Sequence, residues 1–263
     1  MISGLRVGAR HAVPLHLILL RLLVLFAGCG KKGPVQPLKQ PLPAATRELA
    51  LRQLGMRFLL AWDIPKVNQN GTPLTDLKGF KVLRMRYDLA EDCPECRDTS
   101  VLLEEIDLDY LQEVIRRGDR LYFWDTELKP DFGYKYTVVP YNRRNREGAP
   151  AQVRRPMLIP PLPPDRLAAT AHDRLVRLAW EPAVEDRQGA GWLGYNLYRR
   201  KPGEAFPPRP LNRDPLMNTA FEDFDVQNGT TYVYAVRTVV SIMDHPVESL
   251  LSNIAEAVPR EGL

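Results

Sequence analysis

Short segments in which apolar and polar residues alternate recur along most of the chain. Each covers only a few residues and is bounded by Pro, Gly, Asn or Asp, which is typical of β-strands joined by turns. The clearest alternating segments are residues 79–85, 134–139 and 194–199, and short apolar runs that end in Trp occupy residues 57–62 and 175–180. The pattern predicts an all-β protein.

Four of these blocks occur twice in the same order. They are an apolar block that ends in Trp, a Gly-aromatic block, an aromatic-x-Asp block and a Tyr-x-Tyr-x-Val block. The paired residues are Trp62 and Trp180, Gly79 and Gly194, Asp125 and Asp223, Tyr134 and Tyr232, and Tyr136 and Tyr234. The last two blocks keep the same offset between the copies. An ordered internal repeat predicts two copies of one structural unit.

In these blocks the chain resembles the fibronectin type III domain from about residue 42 to 260. The resemblance implies two tandem immunoglobulin-like antiparallel sandwiches, over residues 46–158 and 159–263, with a short proline-rich linker between them. It also implies that one Tyr of each repeated pair forms a tyrosine corner. The implied core residues are Trp62, Trp180, Tyr134, Tyr136, Tyr232 and Tyr234.

The first copy has a longer insertion between its Gly-aromatic and aromatic-x-Asp blocks, at about residues 90–120. Within it, apolar residues recur at helical spacing. They are Ile106, Tyr110, Leu111, Val114 and Ile115. The spacing predicts a short helix over residues 107–116 that ends at Gly118.

Residues 1–28 have the order of a secretory signal peptide, with arginines, an apolar stretch and then small residues. Phe26–Cys29 resembles the lipobox of bacterial lipoproteins, which implies that Cys29 carries the lipid, including palmitate, and begins the mature protein. The alternative is a transmembrane helix. It is disfavoured because His16 and Arg21 interrupt the only candidate stretch.

Residues 29–45 are polar and rich in proline, which predicts a semi-rigid tether. Gly30 occupies the position where Asp retains enteric lipoproteins in the inner membrane. Because this position holds Gly and not Asp, the outer membrane is favoured, with the protein facing the periplasm. The predicted localisation is therefore the cell envelope, through a lipid anchor.

The formal net charge of +4 does not indicate a nucleic-acid-binding protein. The predicted signal contains Arg6, Arg10 and Arg21 and no acidic residue, so most of the positive charge is removed with it. Basic clusters in the remaining chain are short, whereas nucleic-acid binding requires a concentrated basic face. No nucleic-acid partner is expected.

Cys93 and Cys96 form a Cys-x-x-Cys motif. In a secreted chain a local disulfide is favoured. A redox-active pair is the alternative, although the neighbouring acidic residues Glu91, Asp92 and Glu95 oppose the low thiol pKa that it needs. A zinc site would need two further ligands, which are not found nearby in the sequence. Haem attachment would need a His directly after the motif, and Arg97 stands there.

No catalytic motif, metal site or cofactor site is recognised in the sequence. Arg117-Gly118-Asp119 spells an adhesive tripeptide, although Gly118 is also explained as a turn residue. We therefore expect a non-enzymatic envelope protein that acts as a binding or scaffolding module for a protein or an envelope polysaccharide. A thiol–disulfide role of Cys93 and Cys96 and a surface adhesin are the alternatives.

Overall fold

The computed structural model describes residues 41–90, 96–183 and 190–262. Within these ranges the chain forms fifteen β-strands and no helix, which confirms the all-β prediction. The strands are β1 (Arg47–Leu54), β2 (Arg57–Asp63), β3 (Leu77–Asp88), β4 (Val101–Asp107), β5 (Val114–Arg117), β6 (Arg120–Asp125), β7 (Phe132–Asn142), β8 (Ala151–Pro156), β9 (Asp165–His172), β10 (Leu175–Glu181), β11 (Ala190–Arg200), β12 (Ala220–Asp223), β13 (Tyr232–Ile242), β14 (His245–Glu248) and β15 (Ala255–Ala257).

The first eight strands form an antiparallel sandwich, which we call the N-terminal sandwich. One layer has the strand order β1-β2-β6-β5 and the other has the order β4-β3-β7-β8. Alternate residues of the two layers point inwards, as strand geometry requires. They pack into a core that contains Phe58, Trp62, Phe80 and Tyr136.

Strands β9 to β15 form the C-terminal sandwich. A three-stranded sheet of order β12-β10-β9 packs against β11, β13 and β15 around a second core. Trp180, Tyr195 and Tyr234 are central to this core. The predicted boundary between residues 158 and 159 falls in the connection between β8 and β9.

One sheet is shared by the two sandwiches. β1 pairs with β14 in parallel, with Gln53 opposite Val247 and Leu54 opposite Glu248. The shared sheet therefore has eight strands, in the order β11-β13-β14-β1-β2-β6-β5, with β15 attached to β13. Residues 41–263 form one compact unit, so the division into two domains stays a prediction.

The predicted helix over residues 107–116 is wrong. Residues 107–110 form a turn, with the Tyr110 amide donating to the Asp107 carbonyl at 3.1 Å, and β5 follows. Val114 packs into the N-terminal core, whereas Ile115 packs on the opposite face of the sheet. The two β-branched residues thus follow the two-residue period of a strand, and tertiary packing overrides the helical spacing.

Gly118 ends β5 for a different reason from the one expected. Arg117 pairs with Arg120, so Gly118 and Asp119 form a two-residue hairpin loop between β5 and β6. Gly118 has φ +60°, which favours glycine at the first position of such a loop. Across the described ranges, no helix is long and apolar enough to cross a bilayer.

Candidate functional site

The repeated tryptophans lie at equivalent places in the two cores. Trp62 is fully buried and Trp180 is 4% exposed. Trp62 meets the ring of Phe80 edge-on at 5.7 Å between centroids, and Trp180 meets Tyr195 in the same way at 5.5 Å. Each ring pair packs inside the core of its own sandwich.

The side-chain hydroxyls of Tyr134 and Tyr232 each form a hydrogen bond with the backbone five residues upstream. The Tyr134 hydroxyl accepts a hydrogen bond from the Lys129 amide at 2.8 Å, and the Tyr232 hydroxyl accepts one from the Gln227 amide at 3.0 Å. A tyrosine that bonds back in this manner forms a tyrosine corner. The first Tyr of each repeated pair therefore forms the corner.

The second Tyr of each pair belongs to a buried ionic group that is also repeated. The equivalent residues are Arg84 and Arg199, Asp125 and Asp223, and Tyr136 and Tyr234. In both copies the arginine Nη1 lies within 2.9 Å of both carboxylate oxygens. The tyrosine hydroxyl donates to the same carboxylate, at 2.6 Å in the first copy and 2.9 Å in the second. Burial, aided by the adjacent carboxylate, raises the pKa of both tyrosines.

Two pairs of neighbouring acidic residues, Asp107 with Asp109 and Asp223 with Asp225, are bound by Lys and Arg side chains of the protein itself. Asp107 and Asp109 both contact Lys78, at 2.7 and 3.0 Å. Asp225 binds Arg199 at 2.9 Å. In the part of the chain that the structure describes, no group of three or more His, Cys, Asp or Glu residues is arranged to hold a metal ion.

Charged residues are concentrated where β1 meets β14. Arg52 Nη2 forms a short ion pair with Glu248 Oε1, and the Tyr198 hydroxyl donates to Glu248 Oε2 at 2.6 Å. Arg52 also donates to the Tyr198 hydroxyl at 3.3 Å and to the Pro208 carbonyl at 3.1 Å. A residue of the N-terminal sandwich is thus bonded to three positions of the C-terminal sandwich.

Two further arginines are buried beside this junction. Arg155 donates to the carbonyls of Leu51 and Pro246, at 3.2 and 3.1 Å, and so bridges the sandwiches. Arg237 donates to the Ser249 carbonyl. Burial lowers the pKa of Arg155 to about 10 and lowers that of Arg237.

An apolar cluster completes the junction. Leu54, Leu59 and Tyr122 of the N-terminal sandwich pack with Tyr198 of the C-terminal sandwich. The linker is attached as well, since the Leu158 amide donates to Gln53 Oε1 at 3.1 Å. We call this cluster, together with the arginines and Glu248, the junction. It fixes the two sandwiches against each other by strand pairing, apolar packing and ionic bonds.

A surface cleft of about 610 Å³ lies on the outer face of the N-terminal part of the shared sheet. Four residues of its lining form a row across four paired strands, which we call the basic row. From β1 to β5 the basic row reads Arg47, Asp63, Arg120 and Arg117. Directly paired residues point to the same face of a sheet, so these side chains are neighbours.

The carboxylates of the cleft are already paired. Arg120 Nη1 lies 2.7 Å from Asp63 Oδ1, and Lys66 Nζ lies 2.6 Å from Asp119 Oδ2. The hydrogen bond and charge of Lys66 lower the pKa of Asp119. The Arg117-Gly118-Asp119 tripeptide thus forms the hairpin tip beside the cleft, with its carboxylate held by Lys66.

The predicted modification sites are not tested by the structure. Cys29 and Cys93 lie outside the described residues, and Cys96 is exposed in a turn before β4. Lipidation of Cys29 and pairing of Cys93 with Cys96 therefore stay predictions.

Neither a family model nor a curated protein matches the chain. Among solved structures, it is similar to a Fn3-like protein from Clostridium thermocellum, with 24% identity and a TM-score of 0.29 over 39% of this chain and 95% of that one. It is also similar to the FN1–FN3 domains of chicken CNTN1, with 11% identity and a TM-score of 0.34 over 84% of this chain and 69% of that one. The sandwich architecture follows from the strand order of the chain itself.

Sequence reasoning did not find the junction or the basic row. A signal for the junction exists, because Arg237 interrupts the otherwise apolar run of β13. The basic row has no such signal. Its members are far apart in the sequence and come together only through strand register.

Proposed function

We propose that this chain is a non-enzymatic, lipid-anchored envelope protein with two fibronectin type III-like sandwiches that act as one binding or scaffolding module. The partner would be a protein or an envelope polysaccharide. The observation that carries the proposal is the shared sheet at β1 and β14. A module that presents two surfaces to a partner gains affinity when their relative position is fixed beforehand, because less freedom is lost on binding.

The junction supports this proposal through its composition. Arg155 donates to carbonyls of both sandwiches, and Arg52 is paired with the Glu248 carboxylate across the same interface. Directional bonds of this kind favour one arrangement of the two sandwiches over others. The chain would therefore act as a single rigid body on its tether.

Lipidation of Cys29 would hold that body to the outer membrane, on its periplasmic side. Each buried methylene contributes about 0.8 kcal/mol, so several acyl chains suffice without a spanning helix. Mass analysis of the N-terminal peptide tests the anchor. A peptide that begins at Cys29 and carries acyl chains supports it, and an unmodified Cys29 refutes it.

The binding role is tested by a pull-down from membranes with the full chain and its anchor intact. We expect one protein or glycan partner to be enriched in a saturable manner. A Cys29→Ser variant is the control for capture through lipid alone. Turnover of a substrate by the purified chain, lost on a point substitution, would contradict a non-enzymatic role.

A further inference from the structure

The basic row is an unusual arrangement for a sheet. Arg117 and Arg120 lie directly opposite each other on a two-residue hairpin. Like charges in directly opposed positions destabilise a strand pair. Asp63 neutralises Arg120, whose Nη2 also donates to the Glu48 carbonyl at 3.1 Å. Arg117 keeps its charge with no ion-pair partner among the described residues.

The other end of the basic row repeats this situation. Arg47 is exposed and likewise has no ion-pair partner in the described part of the chain, because its cross-strand neighbour Asp63 is bound to Arg120. Arg209, from the C-terminal sandwich, lines the same cleft, with its guanidinium 5.9 Å from the Tyr122 ring. The cleft is thus lined by five cations and two carboxylates.

The spacing of the free cations limits the kind of anion that can use them. Arg47 and Arg117 are separated by three strand spacings, which is about 14 Å. With their backbones this far apart, each of the two guanidinium groups can pair with a separate anionic group without leaving its own strand. A chain with repeated anionic groups can contact both, and each contact would release counterions.

The lining also limits the class of polymer. Among the described residues the lining contains no aromatic side chain, and these residues therefore offer no platform on which bases could stack. The described lining residues also include none of the Trp and Tyr side chains that are enriched in the binding hot spots of protein interfaces. The lining combines the charged side chains with four aliphatic residues, namely Ala44, Ala45, Ile64 and Val67.

We infer that the basic row and Arg209 form a binding site for an acidic polysaccharide, a glycan chain with repeated anionic groups. This inference rests on the proposed function and narrows it to one partner class. The guanidinium groups of Arg47 and Arg117 hold successive anionic groups of the glycan. Arg209 closes the site from the side of the C-terminal sandwich, so both sandwiches contribute to it.

The test uses the full chain in detergent and polygalacturonate as the immobilised probe. At low ionic strength we expect saturable binding that weakens as salt is raised. The Arg47→Gln, Arg117→Gln double variant should bind about tenfold more weakly. The matched control is the Arg174→Gln, Arg260→Gln double variant, which removes the same charge from exposed positions of the C-terminal sandwich. It should bind within about twofold of the unmodified chain.

Competitors separate the site from other kinds of anion binding. Polygalacturonate in solution should displace the chain. Neutral dextran should not displace it, and neither should glycerol phosphate at the same concentration of anionic groups. Equal loss in both double variants, or stronger competition by polyglutamate or glycerol phosphate, would overturn the inference. A membrane partner that is still captured by the Arg47→Gln, Arg117→Gln variant would leave the proposed function intact and refute the site alone.

Discussion

The two sandwiches are alike inside and different outside. Gly79 in the N-terminal sandwich and Gly194 in the C-terminal sandwich each lie where the third strand closely approaches a neighbouring backbone. A Cβ on Gly79 would lie 1.8 Å from the Ile106 carbonyl oxygen, and one on Gly194 would lie 2.5 Å from that of Leu216. The neighbour is strand β4 in the N-terminal sandwich. In the C-terminal sandwich it is an irregular segment that bonds to Tyr195 through Leu216.

The outer faces have different roles in the two sandwiches. The N-terminal outer face carries the basic row, whereas the C-terminal outer face supplies Tyr198, Arg237 and Glu248 to the junction. The tryptophans, tyrosine corners and ionic groups are repeated because each core needs them. The shared features therefore stabilise each core, whereas the unshared features join the two sandwiches and form the candidate site. Four predictions test this division.

The largest effect is expected at the junction. Glu248→Ala leaves the partly exposed Arg52 without its carboxylate, next to two buried arginines, Arg155 and Arg237. Removing one partner of a fully buried ion pair typically costs about 3–5 kcal/mol, and the partial exposure of Arg52 places the expected cost at the lower end, about 3 kcal/mol. Denaturant unfolding measures the loss. Glu256→Ala, at an exposed position on β15, should change the free energy of unfolding by less than about 0.5 kcal/mol.

A loss at Glu248 no larger than the loss at Glu256 would show that the junction ion pair contributes nothing. In that case strand pairing and the apolar cluster would hold the sandwiches together alone. The two sandwiches should unfold in one transition in the unmodified chain. Two separate transitions in Glu248→Ala would show that the junction couples them.

The repeated ionic groups should respond unequally. Asp125→Asn should cost roughly 2–3 kcal/mol, because Asp125 is the carboxylate that binds Arg84. Asp223→Asn should cost about 1 kcal/mol less, since Asp225 also binds Arg199. Denaturant unfolding compares the two. Asp225→Asn added to Asp223→Asn should remove the difference, and equal costs for the two single variants would refute the role of Asp225.

The repeated tyrosines should respond equally. Because the pKa of Tyr136 and of Tyr234 is raised in the folded chain, the folded state keeps protons that the unfolded state releases above about pH 10. Each tyrosine therefore contributes stability that is complete below pH 10 and falls by about 1.4 kcal/mol per pH unit above it. Unfolding free energies measured from pH 9 to 11 check this. Tyr136→Phe and Tyr234→Phe should each make the decline shallower by the same amount, and unequal slopes would break the equivalence.

Much of the interior could be predicted from the sequence. Alternation predicted the all-β class, because core residues must follow the period of their strand, and the resemblance of the repeated blocks implied the sandwich architecture. The insertion was misjudged, since Val114 and Ile115 fit a helical spacing as well as opposite faces of a strand. Short apolar segments are ambiguous in this way, and packing against β6 decides between the alternatives.

The candidate site could not be predicted, for a physical reason. Arg47, Asp63 and Arg120 become neighbours only when strands far apart in the sequence pair in one register. A shift by one residue would turn each side chain to the other face of the sheet. The pairing of β1 with β14 is equally remote, because it joins opposite ends of the described chain. Local sequence patterns predict neither the register of the basic row nor the pairing of β1 with β14.

The smallest effect is expected at the hairpin that distinguishes the N-terminal sandwich. Gly118 has φ +60° and open space around its Cα, so Gly118→Ala adds backbone strain without a steric clash. The free energy of unfolding should fall by about 1 kcal/mol. Gly118→Asn should cost less, because Asn adopts this conformation more readily. Gly203→Ala, at φ +79° in an equally open loop of the C-terminal sandwich, is the matched control and should cost the same. An unchanged stability in Gly118→Ala would contradict the hairpin conformation, and with it the register that aligns Arg117 with Arg120.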